Sequence, residues 1–62
     1  MCLSAVYNHT SDDTNLLARN VMKIDVNGDQ ITLTDIMQCD TELTGRLVSA
    51  DLVNGVVIVD VA

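Results

Sequence analysis

The chain has 62 residues, 48% of them hydrophobic, and carries three basic against nine acidic side chains for a formal net charge of −6. That length confines it to a single small domain over residues 1–62, near the lower limit at which apolar burial alone offsets chain entropy, so a disulfide, a metal or a partner subunit is expected to help. The apolar content excludes a disordered tail. The scarcity of Lys and Arg and the single aromatic, Tyr7, argue against nucleic acid, and no apolar run approaches the ~20 residues of a membrane span.

In chain order, Cys2 to Tyr7 reads as a first strand with Leu3, Ala5 and Tyr7 on one face. Asn8 to Asn15 is a polar connection, and Leu16 to Arg19 a short second strand. Two Asn-Gly pairs, Asn27-Gly28 and Asn54-Gly55, each lie between apolar runs and supply the positive φ angles of a tight hairpin. A two-residue turn at the first pair sets Ile24 opposite Ile31 and Met22 opposite Leu33, with Lys23, Asp25, Gln30 and Thr32 on the other face. Asp35 to Asp40 breaks the alternation and is expected to make a turn or one helical turn.

The second turn sets Val53 against Val56, Leu52 against Val57, Ala50 against Val59 and Val48 against Val61. Leu43 and Leu47 have the opposite parity to Val48, Ala50 and Leu52, which calls for a bulge or bend near Gly45. The last strand, Val56 to Val61, is apolar on both faces except at Asp60, and in so short a chain a partner subunit is a ready source of the second cover. With no Phe or Trp, the core is expected from Val, Leu, Ile and Met. The sum is an all-β fold, a small antiparallel barrel of about six short strands.

Few residues suggest chemistry. Ser4, His9 and an Asp could be written as a triad, but there is no nucleophile elbow and too little mass for a deep pocket, so an enzyme is not expected. His9 beside Thr10-Ser11-Asp12-Asp13 reads as a solvated loop residue. Asp29, Asp35 and Asp51 read as turn and solubility residues, and no spacing of calcium ligands is present. Cys39 has no neighbouring Cys or His and reads as a small turn residue. No secretory signal precedes the first strand, so the cytoplasm is the expected compartment, and there a Cys2–Cys39 disulfide is disfavoured.

Cys2 stands apart. Methionine aminopeptidase generally removes Met1 before a small residue, which leaves an amine and a thiol on adjacent carbons. If Met1 stays, the terminal amine, the Cys2 amide nitrogen and the thiolate form a donor set of three. Two chains whose starts meet complete two nitrogens and two sulfurs, a set suited to square-planar nickel(II) or copper(II). From position alone, an incidental or buried strand cysteine is the competing explanation.

The start Met1-Cys2-Leu3-Ser4-Ala5-Val6-Tyr7, together with the segments Ile24 to Asp35 and Gly45-Arg46-Leu47 through Asp51-Leu52-Val53-Asn54, resembles the CooT family of very small nickel-binding proteins over nearly the whole chain. The resemblance implies a homodimer of β-rich subunits, with Cys2 as the Ni(II) ligand and a role in maturing carbon monoxide dehydrogenase. Such proteins are also labelled predicted RNA-binding. An RNA- or protein-binding barrel adaptor is thus the alternative, though the charge and aromatic content here do not support RNA. His9 and Cys39 match no motif of the family.

Overall fold

The computed structural model describes residues 3–62. Five strands, β1 (Ser4–Asn8), β2 (Leu16–Asn27), β3 (Gln30–Asp35), β4 (Asp40–Asp51) and β5 (Val56–Val61), close into one all-β barrel in the order β1-β2-β3-β4-β5. Four neighbouring pairs are antiparallel, and β1 closes on β5 in parallel, Ala5 facing Val56 and Asn8 facing Val59.

The strand count explains the parallel seam. Successive hairpins reverse direction, so the first and last strands of a five-strand meander run the same way, whereas six strands would close antiparallel. The expected sixth strand is absorbed into β2. Leu16–Arg19 and the first arm of the Asn27-Gly28 hairpin are one continuous strand, bent where Asn20 takes φ 53° and where the register with β3 shifts between Val21 and Lys23. One half of β2 pairs with β1 (Tyr7 facing Leu16, Ser4 facing Val21) and the other with β3.

Each hairpin register differs from expectation, for a local reason. At the first, Gly28 takes φ 62° at the leading central position and Asp29 the second, so Asn27 joins β2 opposite Gln30. A positive φ at the first central residue alone is the requirement of a type II′ turn. Val26 therefore faces Ile31 and Ile24 faces Leu33, in place of the expected Ile24–Ile31 and Met22–Leu33 pairs. The same faces still meet, because both ends of the turn move by one residue. Lys23 and Asp25 share the outer face and pair with each other at 3.2 Å.

At the second hairpin the connection is the four residues 52–55. Asp51 closes it, its Oδ1 accepting the Asn54 backbone N–H at 3.1 Å and its Oδ2 the Asn54 side-chain amide at 2.7 Å. Asp51 thus faces Val56 and Ala50 faces Val57, and Val59 meets Leu47 where Ala50 was expected. The parity break expected near Gly45 is a register shift between Leu47 and Ser49, so Val48 is the additional residue.

Among the described residues six side chains form the core: Val6, Val21, Ile31, Leu33, Val57 and Val59. No methionine among the described residues contributes, and Met22 and Met37 are exposed. On β1 the inward residues are Ser4 and Val6, while Ala5 and Tyr7 stay half-buried on the outward face. On β5, Val57 and Val59 are buried and Val56, Ile58, Asp60 and Val61 half-buried, so the outer face expected to be covered keeps partial access to solvent. The polar connection holds a 3-10 turn over Asp13–Asn15, capped by Asp12 through the Thr14 N–H at 3.2 Å.

Candidate metal centre

Cys2, the expected ligand, lies outside the described residues. The structure defines where the described chain begins. Leu3 is half-buried, and the next residues are held from two sides. Ala5 N–H donates to the Gly55 carbonyl at 2.8 Å on the β5 side, and Ser4 pairs with Val21 on β2. Parallel pairing of Ala5 to Asn8 with β5 continues this anchoring along the strand. The start of β1 is thereby fixed against the Leu52–Gly55 turn.

Two clefts meet at Ser4. One, of about 400 Å³, is mostly polar, with Leu3 and Gly55 on its edge and Tyr7, Asp13, Arg19 and Asn20 in its walls. The other, of about 440 Å³, is apolar, walled by Val21, Met22, Ile24, Leu52 and Val57 with Lys23 on the rim.

The other candidates lie elsewhere. His9 follows the far end of β1, about 16 to 20 Å from Leu3 at roughly 3.3 Å per strand residue. It adopts φ 71°, donates its N–H to the Val59 carbonyl at 2.9 Å, and brings Nδ1 to 3.3 Å from Asp60 Oδ1. Arg46 Nε occupies the other Asp60 oxygen at 3.3 Å. Asp60 is therefore shared by His9 and Arg46, an arrangement that follows from β5 lying between β1 and β4 and that spacing alone did not reveal. With the His9 side chain 58% exposed, the group is a solvated polar cluster at the surface.

Cys39 is a free, exposed thiol in the connection between β3 and β4. Asp35 organises that connection: its Oδ1 accepts from Met37 N–H at 2.8 Å and Cys39 N–H at 3.0 Å, and Gln38 takes φ 64°. Of the two expected forms, a turn or one helical turn, the connection is a turn, with Asp35 as its organising residue. Ser4, His9 and an aspartate do not converge, since Ser4 is buried at the near end of β1 and His9 lies at the far end. Among the described residues no three His, Cys, Asp or Glu side chains gather into a metal-binding group, and no helix is long and apolar enough to cross a membrane.

No curated protein matches the chain. The family described as CO dehydrogenase accessory protein CooT matches residues 1–60, all but the last two positions. The chain therefore belongs to the CooT family of CO dehydrogenase accessory proteins.

Proposed function

We propose that this protein is a cytoplasmic, homodimeric nickel carrier serving maturation of CO dehydrogenase, with Cys2 of each copy supplying a thiolate to one shared Ni(II). The observation that carries the reading is the family match over residues 1–60, a span that includes Cys2. The anchoring of Ala5 by Gly55 supports it, because a metal site at a chain end needs a fixed base. So does the donor chemistry. Thiolate sulfur with amine or amide nitrogen suits a square-planar ion, and a site made from two chain ends exchanges metal more readily than an enclosed one.

The role is binding and transfer, with no bond made or broken in a substrate. Metal and proton compete for the Cys2 sulfur, so affinity falls as pH drops below the ordinary thiol range near 8.5. An excess of six negative charges concentrates cations around the chain and disfavours RNA.

Native mass spectrometry with added Ni(II) tests the reading by reporting chain count, metal count and the state of Met1 together. One nickel per two wild-type chains and none on Cys2→Ser is the expected result. Equal nickel loading of wild type and Cys2→Ser overturns it.

A further inference from the structure

The tripeptide Val-Asn-Gly occurs at both hairpin tips, as Val26-Asn27-Gly28 and as Val53-Asn54-Gly55. An asparagine followed by glycine is prone to ring closure, because a residue without Cβ lets its backbone nitrogen swing onto the preceding side-chain carbonyl carbon. Identical flanking residues give the two asparagines closely similar reactivity in an unfolded chain. A difference between them in the folded protein therefore belongs to the structure.

Both asparagines are exposed, but only one is restrained. The Asn54 side-chain amide donates to Asp51 Oδ2 at 2.7 Å, and its backbone N–H donates to Asp51 Oδ1 at 3.1 Å. The next peptide is held as well, since the Gly55 carbonyl accepts the Ala5 N–H at 2.8 Å. Ring closure at Asn54 would have to turn a bonded amide and a bonded peptide toward each other. It would do so beside a carboxylate, which opposes the negative charge that develops on the attacked oxygen. At the first tip, the cross-strand neighbour Gln30 turns its side chain to Glu42 at 3.3 Å, and among the described residues no group bonds the Asn27 amide. Gly28 has nothing within 4 Å of where a Cβ would stand, so its peptide has room to rotate.

We propose that Asn27 is a site of spontaneous deamidation and that Asp51 protects Asn54 from the same reaction. The Gly28 nitrogen attacks Asn27 Cγ and forms a new C–N bond. The bond from Cγ to the side-chain nitrogen then breaks, and ammonia leaves with the proton that the Gly28 nitrogen gave up. Water opens the resulting five-membered imide at either carbonyl, giving aspartate or isoaspartate. One water is consumed, one ammonia is released, and nothing is oxidised or reduced. Either product adds a negative charge to a chain already at −6. Isoaspartate also inserts one carbon into the backbone beside the Val26–Ile31 pair, where Ile31 belongs to the core.

The test incubates the full chain at physiological temperature and mildly alkaline pH, once in buffer and once in concentrated urea. Peptide mass spectrometry then follows the exchange of NH2 for OH at each asparagine. In urea the two sites are expected to react at closely similar rates. In the folded protein Asn27 should react about tenfold faster than Asn54, the scale of one hydrogen bond to a charged group. Asp51→Ala should accelerate Asn54 toward the rate of Asn27 while leaving Asn27 itself unchanged, and that constancy also reports an intact barrel. Equal rates at the two sites in folded wild type overturn the proposal, whatever the variant does. An Asn54 that stays slow in Asp51→Ala overturns the protective role of Asp51.

Discussion

The two hairpin tips begin from the same dipeptide and end as opposite surfaces. At Asn27-Gly28 the chain reverses through Gly28 and Asp29, the flanking Asn27 and Gln30 are polar, and nothing lies within 4 Å of where a Gly28 Cβ would stand. At Asn54-Gly55 the chain reverses through four residues, two of them bare aliphatics, and a Cβ on Gly55 would meet the Leu3 carbonyl oxygen at 2.9 Å. Both tips need a residue with positive φ, so both carry glycine. The first tip is open at Gly28 and is tied only to β4, where the Asp29 carbonyl accepts the Gly45 N–H at 2.8 Å. The second has a neighbour on each side, the chain start and the apolar cleft, and its residues answer to those contacts as well as to the turn.

Core truncation beneath each tip should give the largest effects and should separate the two ends. Ile31, fully buried opposite Val26, supports the first hairpin, and Ile31→Ala is expected to cost about 3 to 4 kcal/mol. Val57, fully buried opposite Ala50 and forming the floor of the cleft, supports the second, and Val57→Ala is expected to cost about 2 to 3 kcal/mol. For a chain of this size each kilocalorie moves the melting temperature by roughly 4 to 8 °C. Thermal unfolding measures both losses. A smaller loss for Ile31→Ala than for Val57→Ala would contradict that ranking.

Glycine replacement should sharpen the contrast at smaller scale. Gly28→Ala meets open space and bears only the conformational penalty of φ 62°, about 1 kcal/mol. Gly55→Ala bears a similar penalty at φ 69° and also displaces backbone at Leu3, for about 2 kcal/mol in all. Urea unfolding should rank them in that order, and under the carrier reading Gly55→Ala alone should also lower nickel affinity. Equal costs would mean that the chain start yields freely at the second tip.

The smallest expected effect is a pH dependence confined to the second tip. The bonds from the Asn54 side chain and then its backbone N–H hold the Asp51 carboxyl below its ordinary value. The unfolded chain therefore binds this proton at higher pH than the folded one. The associated stability is present above the ordinary carboxylate pKa of about 3.9 and is lost as pH falls through the lowered folded value. The urea midpoint of wild type should exceed that of Asp51→Asn at neutral pH and converge toward it in acid. A gap between the two that stays constant down to the lowest pH would remove the carboxylate from the account.

Much of the fold is legible in the chain because its signals are local. Period-two alternation at Ile31 and Leu33, the β-branched run from Val56 to Val59 and the two Asn-Gly pairs fix the strands and turns, and each depends only on neighbours a few residues away. The exact registers are less legible. Asp51, three residues ahead of Asn54, was the available sign of a longer loop, since an aspartate at the first turn position accepts the N–H three residues on. Cys2 was singled out from its place in the sequence and lies outside the described residues, and the anchoring of Ala5 was not legible, because Ala5 and Gly55 are brought together by a pairing that spans the whole domain.

By itself, then, the sequence determined the all-β class, the placement of the hairpins and the aliphatic composition of the core. The tertiary structure alone decided that Leu16 to Asn27 is one bent strand, that five strands close through a parallel seam, and that His9 and Arg46 converge on Asp60. The division has one physical cause. Backbone torsion preferences and side-chain alternation act over a few bonds, but which strand pairs across the barrel depends on burying six distant side chains at once, and no local stretch of the chain carries that information.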